Sequence, residues 1–221
     1  MPALVTFGGK AVSHASVSIP RHGAWHAQVA LTELEPVGDT RGTLQFGPNL
    51  ALTGAIRRGG VADGAAVLLL LGGSGNLNRL SRRQAYRQAP LRLPLTDLLG
   101  VAEQPLAESS HQEVLNAHLA HWVLPEAGVG TALALLLSEV QAATWRMLSD
   151  GTLWVGTEGW AQAPAFDYVL TVDQPLENAV RLHSLEPAVL PGQTFRDRRV
   201  SYVHHLLQED HLETTVYWEG A

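Results

Sequence analysis

The stretch AWHAQVALTEL, residues 24 to 34, sets Trp25, Ala27, Val29 and Leu31 against His26, Gln28, Ala30 and Thr32. Apolar and polar residues alternate one by one. A β-strand carries successive side chains to opposite faces, so this period of two predicts a strand half-buried in a core. The neighbouring stretches agree. LVTFGG and AVSHASVSI are short and β-branched, and the second sets Val12, His14, Ser16 and Ser18 against Ala11, Ser13, Ala15, Val17 and Ile19. GTLQFGPNLALTGAIRRGG reads as a hairpin reversing at Gly47-Pro48-Asn49. AAVLLLL, between glycines, reads as a strand buried on both faces, either a barrel wall or a subunit contact. The glycine spacing in this region predicts a strongly bent sheet.

The period then changes. LPLTDLLG, with Pro94 near its start and Gly100 after its end, predicts a short helix. SHQEVLNAHLAHWV opens with Ser110 three residues before Glu113, the spacing of a capping box, and places Leu115, Leu119 and Trp122 on one helical face. TALALLLSEVQAA repeats Leu133, Leu136, Leu137 and Val140 at helical spacing, with Thr131 as its cap. Strands return afterwards. WRMLSDGTLWVGTEGW, residues 145 to 160, predicts a hairpin turning at Asp150-Gly151 and holds three of the six tryptophans. AFDYVLTVD and NAVRLHSLEP are strand-like, VLPGQTF carries a Pro-Gly turn, and the final segment predicts a hairpin reversing near Glu209-Asp210.

The order β, α, β predicts a mainly β chain with an α insertion (α+β): two small β-barrel-like domains with short helices between their strands. The expected division is an N-terminal barrel-like region over 1–80, a helical connection over 81–143, and a C-terminal barrel-like region over 144–221 that completes a shared barrel. The 221 residues suffice to bury a sizeable core.

Composition limits the function. The net charge of -6 argues against a dedicated nucleic-acid binder, and the pairs Arg57-Arg58, Arg82-Arg83 and Arg198-Arg199 are scattered. The chain has no cysteine, which removes disulfides, thiolate zinc sites and thiol nucleophiles. Only 16% of residues are charged, which fits a surface partly covered by other protein. The first ten residues lack the pattern of a signal peptide, and no apolar run spans a bilayer, so synthesis in the cytoplasm is expected.

Candidate chemistry is sparse. His118 and His121 lie three apart on the expected helix, a spacing that could hold a metal, but the HExxH zinc-protease pattern is absent. His204 and His205 point to opposite faces of a strand, and with His211 they read as structural. LGGSGN around Ser74 lacks both the P-loop and the nucleophile-elbow patterns and reads as a flexible turn. Glu126, Glu139, Asp150 and Glu158 form no recognisable dyad. No catalytic, cofactor-binding or metal residue is assigned, and no cofactor is expected. Trp145, Trp154 and Trp160 allow a sugar-stacking platform, against which stands ordinary aromatic packing.

The order of these features resembles phage tail and baseplate hub proteins. Residues 50 to 106 resemble the family's strand pair leading to a short helix. Residues 121 to 160 resemble its helix followed by a Trp-bearing hairpin. Residues 189 to 218 resemble its closing strands, with a Pro-Gly turn, RRVSYVHH and LETTVYW. The resemblance implies a non-enzymatic structural protein of the virion tail, forming a homotrimeric ring of paired barrels. Such a ring joins the tail tube protein to a central spike or tip protein, touches other baseplate proteins, and lets DNA pass through its lumen without specific binding. A carbohydrate- or receptor-binding β-rich tail module is the alternative.

Overall fold

The computed structural model describes residues 4–33, 40–62, 64–208 and 211–220. Six strands come first: β1 (Val5–Phe7), β2 (Lys10–Pro20), β3 (His26–Leu31), β4 (Arg41–Phe46), β5 (Leu50–Ala62) and β6 (Ala65–Gly72). They hydrogen-bond in the order β1-β4-β5-β6-β3-β2, and β1 also pairs with β2, so the six close into a barrel. The alternation in β3 is as expected. Trp25, Ala27, Val29 and Leu31 are all buried, and they meet Val5, Phe7, Leu44, Phe46, Leu52 and Leu70 in one core.

Trp25 fixes one end of the barrel. Its ring lies over Gly54 of β5 and Gly72 of β6, which are directly paired across the strands. A Cβ on Gly54 would stand 2.7 Å from the Trp25 ring and 2.4 Å from the Leu71 carbonyl oxygen. Only residues without a side chain admit the indole here. In β2 the phase shifts at a bulge between Val12 and His14, so Val12 joins the buried set with Ala15, Val17 and Ile19. β6 differs from expectation. Ala66, Leu68 and Leu70 are buried, but Leu69 is 40% exposed, because alternate residues of a barrel strand point outward.

The middle of the chain holds a second hairpin, β7 (Gln84–Pro90) with β8 (His118–Leu124), and three helices, α1 (Arg92–Ala102), α2 (Gln112–Leu115) and α3 (Val129–Leu137). The helix expected across SHQEVLNAHLAHWV is therefore one turn followed by a strand. The spacing of Leu115, Leu119 and Trp122 imitated a helical face. In the strand, buried positions shift phase between Leu119 and Trp122, near Gln88 of β7, whose φ is 49°. Ser110 makes no capping box; its hydroxyl accepts a hydrogen bond from the Val155 amide. Gly100 lies inside α1, which ends at Glu103 in the left-handed conformation (φ 52°). Thr131 does not cap α3; Gly128 stands at the cap position. α1 packs on α3, and Leu95, Leu98, Leu133 and Leu136 of the two helices are fully buried in the common core.

The remaining strands are β9 (Thr144–Met147), β10 (Leu153–Gly156), β11 (Val169–Gln174), β12 (Ala179–His183), β13 (Thr194–Phe195), β14 (Arg198–Gln208) and β15 (His211–Trp218). β14 pairs with β2 from Tyr202↔Pro20 to Gln208↔His14. The sheet then continues β14-β15-β12-β11, so strands from both ends of the chain form one eleven-stranded sheet. The expected reversal at Glu209-Asp210 lies outside the described residues, although Gln208 and His211 are paired. Among the described residues no helix is long and apolar enough to cross a membrane.

Candidate assembly interface

The β9–β10 hairpin turns where expected. Gly151 takes φ 83°, and the Asp150 carboxylate accepts hydrogen bonds from the amide and hydroxyl of Thr152. Its indoles are consumed by packing. Trp145 and Trp154 are 8% and 7% exposed. Trp154 donates its N–H to the Ser109 carbonyl, meets His111 edge-on at 5.2 Å, and lies under the Arg146 guanidinium at 4.5 Å. Arg146 in turn pairs with Glu158. A sugar-stacking platform needs open ring faces, and at 8% and 7% exposure neither indole offers a broad one.

Trp160 is partly exposed, and cations flank it: Arg21 lies 5.1 Å and Arg199 4.9 Å from the ring centre. Both also pair with Glu219. This cluster ties the end of β2 to β14 and the chain beyond β15. Beside it, burial first and then Arg21 lower the pKa of His22.

The histidines are spread by the fold. His118 and His121, no longer on a helix, are both exposed on β8. His204 and His205 do point to opposite sides: His204 bonds the Ser16 hydroxyl at 3.0 Å, whereas His205 is fully buried. His205 Nδ1 meets the Thr214 hydroxyl at 2.9 Å, its ring lies 5.2 Å from Phe46, and its Nε2 has no partner among the described residues. Burial, aided by neighbouring His204, pushes its pKa down to about 3. His211 stacks on His183 at 4.5 Å. Among the described residues no three His, Asp or Glu groups converge as a metal site. Glu126 and Glu139 are exposed, and Ser74 is buried in a packed turn, where its amide donates to the Gln104 side chain at 2.8 Å. That turn is tighter than the flexible loop expected.

What the molecule does present is uncovered apolar surface. On β11, Val169, Leu170 and Val172 are 64%, 41% and 42% exposed, and Leu176 beyond it is fully exposed. Every residue of β11 but the last is exposed, and only one of its edges is paired. Val61 at the β5–β6 tip, and Leu80 and Val123 around β7–β8, are exposed too. A cleft of about 520 Å³ lies between the barrel and α3, lined by Ala24, Leu71, Leu77, Gly128, Gly130 and Trp145. Sequence reasoning missed β11 as a surface, because AFDYVLTVD is as apolar as a core strand. The segregation of acidic residues around it was the available signal.

The molecule is thus a β-barrel whose sheet continues through β14, β15 and β12 to an uncovered apolar end strand, with helices inserted in the middle of the chain. The fold is that of phage tail and baseplate-related proteins. The chain is similar over 96% of both lengths to the 43 kDa tail protein of prophage MuSo2 from Shewanella oneidensis, with a TM-score of 0.65 and 6% identity. It matches a tail protein from Neisseria meningitidis with a TM-score of 0.63 and 14% identity, covering 96% of this chain and 95% of that one. It also matches an E. coli component of the type VI secretion system that exhibits structural similarity to the T4 tail proteins gp27 and gp5. There the TM-score is 0.65 and identity 10%, over 98% of this chain and 77% of the other. No family model and no curated protein matches the sequence.

Proposed function

We propose that the chain is a structural subunit of a tail or baseplate hub, forming a homotrimeric ring that joins the tail tube to a central spike or tip protein. The observation that carries this reading is the barrel-plus-sheet fold, shared end to end with tail proteins. The uncovered strand β11 supports it, since rings bury such strands between subunits. In this reading the chain works as a mature virion component after synthesis in the host cytoplasm, touching other baseplate proteins. In this reading residues 1–80 form an N-terminal barrel-like region, 81–143 the helical connection, and 144–221 a C-terminal barrel-like region that completes a shared barrel.

The reading assigns no catalytic chemistry to the chain. Its net charge of -6 suits a lumen through which DNA passes without being held, because a chain with more acids than bases attracts phosphate little overall. Sedimentation and negative-stain imaging of the purified protein, with pull-down of tube and spike proteins from the same phage, test it. Ring particles that bind either partner are expected. A strict monomer that binds neither overturns it.

A further inference from the structure

The exposed charges of this chain are sorted by place. Residues 82 to 92, covering β7 and its flanks, carry Arg82, Arg83, Arg87 and Arg92 and no acid, out of fifteen Lys and Arg in all. The partner strand β8 adds His118 and His121 and again no acid. On the outward face of this hairpin, Arg87 pairs across the strands with His121, and Ala85 with Val123. The four arginines are exposed, and none has a carboxylate partner among the described residues. Arg83 and Arg87 thus flank a small apolar pair, Ala85 and Val123, with exposed Leu80 nearby in the chain, while on the inward face the Asp97 carboxylate of α1 accepts from the buried Tyr86 hydroxyl.

The β11 edge has the opposite character. Residues 165 to 178 carry Asp167, Asp173 and Glu177 and no Lys or Arg. All three acids are exposed. The closest base along the chain, Arg181 of β12, is committed to Glu213 at 3.8 Å. Between the acids stand Val169, Leu170, Val172 and Leu176, uncovered, beside a row of backbone groups that no described strand pairs. A strand with water on both faces and a free edge gains from being covered.

We infer that these two surfaces are the halves of one head-to-tail contact between copies of this chain: the β11 edge of one copy seats on the β7–β8 hairpin of the next. The inference rests on the ring reading and names the surfaces that close the ring. Each patch repels itself, so a twofold contact between like patches is disfavoured. Opposite patches attract, and a heterologous contact repeated around an axis makes a ring. The two patches belong to separate sheets, β7–β8 and the end strand of the eleven-stranded sheet, so one chain can offer both at once.

Charge reversal tests the contact on the full chain. Sedimentation velocity is measured for the wild type, for Arg83→Glu/Arg87→Glu, for Asp173→Arg/Glu177→Arg, and for the variant carrying all four changes. All four positions are exposed, so the far-UV circular dichroism spectrum of each variant should match the wild type, which separates misfolding from dissociation. The wild type is expected to run as a ring. Each double variant should lose self-association by on the order of a hundredfold, because like charges then meet. The fourfold variant should reassemble, since its patches are complementary again. A wild-type ring that neither double variant weakens overturns this contact and leaves the ring reading standing. Double variants that dissociate without rescue in the fourfold variant overturn the pairing of these two patches. A wild type that sediments only as a monomer overturns the contact together with the ring.

Discussion

His205 makes stability depend on pH in a calculable way. The side chain is fully buried at the seam where β14 joins the barrel, opposite Val17 of β2 and Thr214 of β15. Its Nε2 has no partner among the described residues, and burial pushes its pKa down to about 3 from an ordinary value of 6.5. The folded pKa therefore lies below the unfolded one. Below pH 6.5 the unfolded chain takes up a proton that the folded chain refuses, so stability is full above 6.5 and falls as the pH drops toward 3. The slope is about 1.4 kcal/mol per pH unit, so moving from pH 6.5 to 5.0 costs about 2 kcal/mol. This figure needs only a folded pKa well below 5. His204 and His22, whose pKa values are also lowered chiefly by burial, add in the same direction. The comparison is wild type against His205→Leu/Thr214→Val, which removes the imidazole and its hydrogen-bond partner together and leaves neither unpaired. Thermal unfolding at pH 7 and pH 5 is the assay. The wild type should lose roughly 4–8 °C more than the variant between the two pH values. Carboxylate effects are common to both chains and cancel. Equal losses in the two chains would refute the argument that His205 is held neutral.

Two further outcomes follow from the packing. Gly54→Ala drives a methyl against the Leu71 carbonyl and the Trp25 ring, and should destabilise the barrel by about 3 kcal/mol in urea unfolding; an unchanged midpoint would mean that the indole does not lie on the glycine pair. Tryptophan emission should be blue-shifted, because Trp25, Trp122, Trp145, Trp154 and Trp218 are all 8% exposed or less. Trp160→Phe should remove most of the acrylamide-quenchable signal, and a variant quenched as strongly as the wild type would place another indole at the surface.

Local periodicity was readable where one face meets the core and the other meets water. β3 announces itself because Trp25, Ala27, Val29 and Leu31 alternate with polar residues and are all buried. The hairpin at Asp150-Gly151 was readable because its turn needs a residue that accepts positive φ. β8 was not. Leu115, Leu119 and Trp122 fall at helical spacing, but the strand's buried face changes phase between Leu119 and Trp122. Nor does a single sequence specify which distant strands pair. β1 closes the barrel on β2 through only Thr6↔Ala11 and Phe7↔Lys10, and β2 joins β14 across nearly the whole chain. Those contacts are set by backbone hydrogen bonds, which every non-proline residue can make equally well.

The tryptophans and β11 failed as signals for the same reason, in opposite directions. Apolar content alone does not say which surface covers it. WRMLSDGTLWVGTEGW looked like a candidate binding face, yet Ser109, His111, Arg146 and Glu158 supply everything that Trp154 and its cation need from within the chain. VLTVDQ read only as strand-like, yet every position but its last is exposed and β12 is the one described strand that pairs with it. What separates them is the company each keeps in space. Trp154 gives its N–H to the Ser109 carbonyl and meets the His111 ring, both from outside the hairpin, whereas β12 is the one described strand that pairs with β11. In the contact inferred above, the unpaired edge of β11 finds its complement on the β7–β8 hairpin of another copy.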